Sequence, residues 1–262
     1  MLGSAVVETI RTAGYPCLTS SLRYGGGADD PLVAEVLASD ASVVVNCAGI
    51  TTHRQVTGPE LLIANALLPQ HVASALGPER LLFHASTDCV FSGLRGRYRV
   101  DEAPDATDAY GVSKRLGELS VRVPTARVIV LRTSIIGPEI GTARGLLAWF
   151  LSQPGPVRGW QNHFWNGITT LAWARLMLEI VTGARPLPDG IHQPGTDERE
   201  SKYELLEMIG AAFNHRITIE PVTMDAPSDR TLEPTLRMPP IDVQLQELAE
   251  WWRRLPETGR PV

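Results

Sequence analysis

A tyrosine and a lysine at helical spacing form the pair in this sequence that could most directly do chemistry. Tyr110 and Lys114 lie in the segment YGVSK, which is predicted to begin a helix. Side chains four positions apart share one helix face, so the lysine ammonium favours the tyrosinate and lowers the pKa of the phenol toward working pH. Such a phenol can exchange a proton with a carbonyl oxygen, which a hydroxyl of Ser86 or Thr87 could share.

A Y-x-x-x-K spacing alone occurs on many solvated helix faces. Polar residues at three predicted strand ends are what favours a functional role for this pair. The segments NCAG at 46–49, STD at 86–88 and RTSIIG at 132–137 each end or follow an apolar run. The carboxyl ends of parallel strands form one edge of a sheet, and ligands bind there in open α/β sheets. Tyr110 follows Thr87 by 23 residues. We therefore expect these groups to meet at one edge.

Strands and helices alternate through the first two-thirds of the chain, which predicts an α/β fold with a doubly wound parallel sheet of the Rossmann type. Continuous apolar runs predict three strands that are buried on both faces, at 41–49, 80–91 and 127–137. A shorter run predicts a further strand at 16–22. Amphipathic segments predict the intervening helices, from Gly3 to Gly14 and at 30–39, 58–76 and 110–123. Pro69 is expected to kink or divide the helix at 58–76.

The pattern changes after about residue 140, where helices predominate and proline- and glycine-rich loops separate them. This predicts a dinucleotide-binding domain over 1–140 and a smaller substrate-binding lobe over 141–262, interleaved with the first. The lobe is predicted to contain four helices and one strand: helices at 145–153, 171–183, 201–215 and 242–255, and a strand at 216–222.

Composition excludes several function classes. The 24 basic and 29 acidic residues give a net charge of −5, which disfavours nucleic acid and anionic membranes as partners. No apolar run is long enough to span a membrane, and the N-terminus lacks the basic start and long apolar stretch of a signal peptide, so we expect a cytoplasmic protein. The three cysteines, Cys17, Cys47 and Cys89, are odd in number and widely spaced, which predicts buried free thiols. The six histidines show no ligand spacing, so no metal site is expected.

Five segments together resemble the extended short-chain dehydrogenase/reductase superfamily, and in particular sugar-nucleotide reductases of the dTDP-4-dehydrorhamnose reductase type. They are STDCVFSG, YGVSKRLGE, LRTSIIG, NHFWNGITT and DRTLEPTLRMPPI. The resemblance runs from Met1 to about Ile241.

The resemblance implies the roles of the catalytic residues. Tyr110 is the general acid that protonates the keto oxygen of a sugar, and Lys114 lowers the pKa of Tyr110 and holds the nicotinamide ribose. Thr87 hydrogen-bonds the reacting carbonyl, with Asp88 beside it as a supporting, substrate-binding group.

The resemblance also implies a cofactor site. Asn65 orients the active-site end of its helix, and Ser21 or Arg23 meets the adenosine ribose. Arg23 there favours the 2′-phosphate of NADPH over NADH, although a solvated surface arginine explains the residue equally well. The remaining expected cofactor contacts are Gly3, Asn46, Ala48 and Gly49, of which Asn46 could instead only cap its strand.

The loop that the resemblance places over the sugar nucleotide supplies candidate substrate contacts, namely Asn162, Trp165 and Asn166. The alternative for these three is a packed loop, since tryptophan is mostly a core residue. Arg230 and Arg237 either meet the substrate diphosphate or are ordinary surface arginines.

The start of the chain departs from the superfamily pattern. A first strand there leads into a G-x-x-G-x-x-G turn, whereas here MLG matches only its last three positions, with Gly3 as the third glycine. Our hypothesis is that the natural reading frame starts upstream of Met1. A strand from another chain and closure of the sheet around the gap are the alternatives.

The expected function is therefore NADPH-dependent reduction of a 4-keto-6-deoxy sugar nucleotide, with NADH as a possible substitute and a homodimer as a possible assembly. Two alternatives remain open. One is an epimerase or dehydratase on the same scaffold, which needs further acid/base groups than Asp88. The other is a non-catalytic regulatory subunit that retains the reductase fold.

Overall fold

The structure is a computed structural model and describes residues 1–51, 56–123, 126–139 and 145–255. The helices in these ranges are α1 (Leu2–Thr12), α2 (Pro31–Ala38), α3 (Gly58–Leu62), α4 (Leu68–Ala75), α5 (Ala109–Ser120), α6 (Leu146–Leu151), α7 (Thr170–Val181), α8 (Lys202–Phe213) and α9 (Ile241–Arg254). The strands are β1 (Val43–Asn46), β2 (Leu81–Ser86), β3 (Arg127–Arg132), β4 (Ile135–Ile136), β5 (Val157–Trp160), β6 (His163–Trp165), β7 (Ile168–Thr169), β8 (Gly190–His192), β9 (Pro194–Gly195), β10 (Glu200–Ser201), β11 (Ile219–Val222), β12 (Ser228–Asp229) and β13 (Leu236–Arg237).

Strands β1, β2, β3 and β8 form a central parallel sheet in the order β1-β2-β3-β8. Its side chains alternate between the two faces of the sheet, and apolar side chains cover both faces. Phe83 and Leu131 pack with Trp173 of α7 on one face. Leu82 and Val130 pack with α2 and α4 on the other. A parallel sheet covered on both faces explains the continuous apolar runs, and it confirms the predicted α/β class.

A second apolar core lies in the residues after 145, where Phe150 of α6, Leu205 of α8 and Leu245 of α9 pack with Trp165. Strand β8 comes from this part of the chain and yet completes the central sheet. The predicted boundary between residues 140 and 141 lies outside the described residues, so the division into two lobes stays a prediction.

The predicted strand over 16–22 is wrong. These residues form no ladder, and Leu18 and Leu22 are 71% and 46% exposed. A strand exists only where a neighbour accepts and donates its backbone hydrogen bonds. Among the described strands, β1 pairs with β2 alone, and the 16–22 segment does not reach its other edge.

The predicted helix over 58–76 is confirmed as α3 and α4, joined by a π-helical turn at Ile63–Leu67. Pro69 has no N–H to donate to the carbonyl of Asn65, four residues earlier, and its ring crowds that oxygen. Helix α5 packs closely against this turn. A Cβ atom on Gly117 would lie 2.2 Å from the Asn65 carbonyl oxygen, so only glycine permits the contact.

A buried ion pair ties α5 to the sheet. Glu118 of α5 and Arg132 at the end of β3 have side chains only 3% and 2% exposed. Arg132 donates from Nε and Nη2 to the two carboxylate oxygens, at 2.8 and 2.7 Å. Ser86 at the end of β2 donates to Glu118 at 2.6 Å. The pair therefore joins three elements of the predicted ligand-binding edge.

The side of Arg132 that faces away from Glu118 also has partners. Its Nη1 donates to Gln193, at 3.0 Å, and its guanidinium lies 5.2 Å from the ring centre of Phe91. Gln193 in turn donates to the carbonyls of Tyr98 and Glu233. A charge pair in which each guanidinium nitrogen has a hydrogen-bond partner can stay buried, whereas a single unpaired charge there is strongly destabilising.

None of the helices in the described ranges combines the length and apolar character needed to cross a lipid bilayer.

Replacement of Glu118 by alanine should lower the free energy of unfolding by about 3–5 kcal/mol, because it leaves the Arg132 guanidinium buried and unpaired. Urea unfolding followed by circular dichroism measures this. The control is Glu247→Ala, which breaks the exposed pair with Arg175 and should change the stability little. The double variant Glu118→Leu/Arg132→Met should recover most of the loss. Equal stability of the Glu118 and Glu247 variants would contradict the structural role of the buried pair.

Candidate active site

The first turn of α5 lies directly against the turn that follows β2. Asp108 caps the helix by accepting a hydrogen bond from the Gly111 amide at 2.9 Å. A Cβ atom on Gly111 would lie 2.3 Å from the Cys89 carbonyl oxygen, so the two backbones touch only because residue 111 is glycine. This contact brings the Tyr110 phenol into hydrogen-bond reach of the Thr87 hydroxyl.

The Tyr110 phenol is held in its protonated form. Burial raises the pKa of this phenol above its ordinary value of 10.0, and negative charge on Cys89, Asp88 or Asp108 acts in the same direction. The hydrogen bond with Thr87 opposes the shift. A phenol that stays protonated at neutral pH can donate a proton but is a poor base.

Lys114 lies one turn further along α5 and is 6% exposed. Its Nζ donates to the Ala85 carbonyl of β2 at 2.7 Å. Burial lowers the pKa of the ammonium from 10.5 to about 8, against the opposing effect of the Glu118 carboxylate. The ammonium therefore still carries its charge at neutral pH and fastens α5 to the sheet edge.

The expectation that Lys114 lowers the pKa of Tyr110 is wrong for this structure. The pKa of the phenol is raised, because the effect of burial is larger than that of the hydrogen bond with Thr87. The Lys114 ammonium is directed at the Ala85 carbonyl instead.

Thr87 and Asp88 form a hydrogen-bonded pair beside the phenol. The Thr87 hydroxyl donates to Asp88 Oδ1 at 3.0 Å and accepts from the Cys89 amide at 3.2 Å. Ser86, the other candidate hydroxyl, donates to the buried Glu118 carboxylate. Thr87 rather than Ser86 is therefore the hydroxyl next to Tyr110.

Two asparagines expected at the cofactor use their amides within the protein. Asn46 accepts from the Ala48 amide at 3.1 Å and bonds the buried His84 ring at 3.2 Å, so it caps its own strand. Asn65 donates to the carbonyl of Ile50 and accepts from its amide, at 3.0 and 2.9 Å. It also donates to Ser113 of α5. Asn65 therefore positions the loop after β1, and Asn46 shapes the strand end.

The small residues expected at the cofactor lie together at the end of β1. Ala48 and Gly49 are exposed. Gly3, at the start of α1, is close to Cys47, since a Cβ on Gly3 would lie 3.6 Å from that of Cys47. Helix α1 has no side-chain cap at its N-terminus and no acidic residue in its first turn. The backbone amides at the start of α1, which no side chain caps, therefore lie close to the small residues at the end of β1.

Ser21 and Arg23 are exposed and lie in the irregular segment between α1 and α2. The strand that was expected to place them beside an adenosine ribose does not form. Their assignment to a cofactor stays a prediction.

The asparagines expected at the substrate have structural partners. Asn166 is buried and donates to the carbonyls of Thr196 and Leu232, while it accepts from the Leu232 amide. Asn162 exchanges hydrogen bonds with the backbone of Met224. Both amides join loops, in agreement with the packed-loop alternative.

Trp165 is 3% exposed and belongs to the second apolar core. Arg230 lies near the predicted chemistry: its Nε donates to the Phe91 carbonyl at 3.1 Å. The Arg237 side chain is 79% exposed and pairs with Asp197, as expected of a surface arginine.

Sequence reasoning missed Lys202, the first residue of α8. Its Nζ lies 5.8 Å from the ring centre of Trp165. Burial lowers the pKa of its ammonium, which is also within electrostatic range of Asp88, Cys89 and Arg230. One feature of the sequence could have drawn attention to this residue, since Lys114 and Lys202 are the only lysines in the sequence.

The cysteines and histidines take no part in a metal centre within the described residues, where no cluster of three or more metal-ligating side chains occurs. Cys17, Cys47 and Cys89 are free thiols, but each is partly covered rather than fully buried. Burial raises the pKa of both Cys47 and Cys89 to about 12, so neither is a reactive thiolate at neutral pH.

A parallel sheet with helices on both faces, and a tyrosine, threonine and lysine set at its carboxyl edge, define a Rossmann-like α/β protein. The chain belongs to the family described as RmlD substrate binding domain, which it matches over residues 1–257. This confirms the resemblance to sugar-nucleotide reductases of the dTDP-4-dehydrorhamnose type.

Individual curated proteins are similar to parts of the chain. A probable low-salt glycan biosynthesis reductase, Agl14, from Haloferax volcanii is 32% identical over 164 residues, 57% of this chain and 55% of that protein. Methionine adenosyltransferase 2 subunit beta from Xenopus tropicalis is 27% identical over 174 residues, 61% of this chain and 52% of that protein. The chain thus spans about half the length of these curated relatives.

Among solved structures, dTDP-4-dehydrorhamnose reductase from Bacillus anthracis in complex with NADP superposes with a TM-score of 0.79. The alignment covers 94% of each chain at 18% identity. At this identity the likeness establishes the fold.

The lowered pKa of Lys114 can be measured directly. With lysine labelled with ¹³C at Cε, the two lysines should give two side-chain resonances, and the variant Lys114→Arg assigns them. We expect a midpoint of about 8 for Lys114, because burial disfavours its charged form. Free lysine added to the same sample is the control and should titrate at its ordinary pKa. Titration of Lys114 together with the free amino acid would contradict the buried position.

Proposed function

We propose that this protein is an NADPH-dependent reductase of a 4-keto-6-deoxy sugar nucleotide. The observation that carries the proposal is the position of Tyr110, in the first turn of α5, which Gly111 packs against the turn after β2 beside Thr87. Family membership supports the substrate class, and the related structure from Bacillus anthracis, which holds NADP, supports the cofactor class.

The residues at the end of β1 fit a dinucleotide. Ala48 and Gly49 are exposed and allow a ligand to approach the backbone. The nearby start of α1 offers amides without a side-chain cap, which suit a diphosphate. Lys114 donates one of its three N–H groups to Ala85, so the others remain for the ribose hydroxyls.

NADPH supplies a hydride to the keto carbon when it is bound. Tyr110 then donates its phenolic proton to the keto oxygen as negative charge develops there. Burial keeps the phenol protonated in the resting protein, and the transfer is driven by the basicity of the alkoxide that hydride addition creates. Thr87 turns its hydroxyl from Asp88 to the same oxygen and orients the ketone.

Lys114 acts on this chemistry by position and charge. It anchors α5 to β2, and so keeps Tyr110 at the strand end. A tyrosinate formed by proton donation would be stabilised by a cation on the same helix face. Lys114 therefore stabilises the tyrosinate that remains after proton transfer, rather than lowering the pKa of the phenol in the resting protein.

The alternative of an epimerase or dehydratase needs further acid/base groups. Besides Asp88, the carboxylate that acts on the phenol is Asp108, and Asp108 is occupied as the cap of α5. The reductase remains the better interpretation of the site.

Tyr110→Phe should lower turnover by about 100- to 10,000-fold, because it removes the proton donor and leaves the packing intact. The assay follows loss of reduced-nicotinamide absorbance with a panel of keto-sugar nucleotides, and calorimetry measures NADPH binding. Tyr15→Phe, at a 50% exposed position, is the matched control.

Retained binding with lost turnover in the Tyr110 variant, and normal turnover in the control, support the proposal. Full activity of Tyr110→Phe would contradict it. A wild-type protein that binds NADPH but reduces no member of the panel would instead favour the regulatory-subunit alternative.

A further inference from the structure

A buried histidine lies at the base of the loop at residues 47–50, which follows β1 and carries the small residues expected at the cofactor. His84 of β2 is 1% exposed and pairs in register with Asn46 of β1, which is 7% exposed. His84 follows Leu82 by two positions, so both side chains lie on the face of the sheet that α2 and α4 cover. No step of the proposed reaction uses this histidine, so its polar ring needs a separate explanation.

The Asn46 side chain determines which nitrogen of the histidine carries the proton. Asn46 Oδ1 accepts a hydrogen bond from the Ala48 amide at 3.1 Å, so Nδ2, the other end of the side-chain amide, faces the histidine. Nδ2 lies 3.2 Å from His84 Nδ1. An amide nitrogen can only donate, so Nδ1 must be the unprotonated acceptor. His84 is therefore a neutral imidazole with its proton on Nε2.

The surroundings of the ring also favour the neutral form. Burial lowers the pKa of His84 well below its ordinary value of 6.5, and the Lys114 ammonium acts in the same direction. A proton on Nδ1 would place two donors opposite each other across the pair of strands. The Asn46 amide would then have to turn, and the Ala48 amide would lose its acceptor.

The other ring nitrogen indicates that stability alone does not explain the histidine. His84 Nε2 is buried and has no hydrogen-bond partner within the part of the chain that the structure describes. It faces α5, where a Cβ atom on Gly117 would lie 3.3 Å from it. A buried donor without an acceptor destabilises the fold, and an aliphatic side chain at this position would avoid that cost. The useful contact of the ring is therefore the one with Asn46.

The loop at 47–50 is held at two points. Asn65 bonds both the amide and the carbonyl of Ile50, and Asn46 bonds the Ala48 amide. The two ends of an asparagine side-chain amide have nearly the same shape, so its hydrogen-bond partners decide which way it points. For Asn46 these partners are the Ala48 donor and the His84 acceptor. Loss of the histidine would therefore leave the first of the two points poorly fixed.

We propose that His84 is a positioning residue for the cofactor, which acts through Asn46 to hold the Ala48 backbone in the conformation that the dinucleotide contacts. This deepens the proposed function and rests on it for the identity of the ligand. In this arrangement His84 touches neither the ligand nor Tyr110. Its substitution should therefore raise KM for NADPH, while kcat at saturating NADPH stays nearly the same.

Nitrogen NMR of the imidazole rings tests the protonation state without any ligand. In protein with ¹⁵N-labelled histidine, His84 should show an unprotonated Nδ1 and a protonated Nε2 across neutral pH, and its loss in His84→Asn assigns the resonances. Asn46→Asp should place a proton on Nδ1, because a carboxylate can only accept. A wild-type ring that carries its proton on Nδ1, or that titrates near the ordinary value of 6.5, would overturn the proposal.

Two substitutions separate the hydrogen bond from the packing. His84→Asn puts an amide oxygen near the place of Nδ1 but leaves a void, whereas His84→Leu fills the space and offers no acceptor. Calorimetry should give nearly wild-type NADPH affinity for the asparagine variant and about 3- to 10-fold weaker binding for the leucine variant. Urea unfolding should rank the two in the opposite order, since only leucine fills the core. His192→Leu, on β8 at the other edge of the described sheet, is the control with unchanged affinity.

Hydrogen exchange reports on the loop itself, with no cofactor present. The Ala48 amide should exchange faster in His84→Leu than in the wild type and stay slow in His84→Asn. Equal NADPH affinity of the two variants, or affinities that follow their stabilities, would overturn the positioning role.

Failure of the proposed function gives a different result. A wild-type protein that binds no nicotinamide cofactor would count against the proposed function. Faster Ala48 exchange in His84→Leu would then still support the connection from His84 through Asn46 to Ala48, and unchanged exchange would overturn it.

Discussion

The buried ion pair between Arg132 and Glu118 is the interaction on which the arrangement of the site depends. It joins the end of β3 to α5 and, through Ser86, to the end of β2. Neither charge has water to stabilise it, so each requires the other. The pair therefore fixes where α5 lies along the sheet, and with it the point at which Tyr110 meets Thr87.

Two glycines allow the short distances that this arrangement needs. Gly111 lets α5 touch the turn after β2, and Gly117 lets it touch the π-helical turn at Ile63–Leu67. Such contacts bury the Tyr110 phenol and raise its pKa. The same packing that excludes water thus keeps the phenol protonated in the resting protein, which is the state from which a reduction takes its proton.

Much of the fold could be predicted from sequence because a strand buried on both faces needs a continuous apolar run. The runs around β1, β2 and β3 met that requirement. Strand β8 carries only Gly190–His192 and has no periodicity to detect. The segment 16–22 has the composition of a strand but no neighbour to pair with, and pairing is not visible in local sequence.

The site was predicted less completely, because side-chain type does not reveal the partner. An asparagine can bind a ligand or a backbone with the same groups, and Asn166 binds the backbone. The spacing of Tyr110 and Lys114 correctly places them on one helix, yet it could not show that the ammonium is directed at Ala85. No recognisable sequence motif includes Lys202, although it is one of only two lysines in the chain.

The central claim is that hydride reaches a keto carbon of a sugar nucleotide at this edge while Tyr110 supplies the proton. The most direct measurement uses NADPH that carries deuterium at nicotinamide C4, one stereoisomer at a time, with a 4-keto-6-deoxy sugar nucleotide. Mass spectrometry of the product should find one deuterium on the reduced carbon from one stereoisomer and none from the other. A product without cofactor deuterium from either stereoisomer, or no reduced sugar at all, would contradict the account.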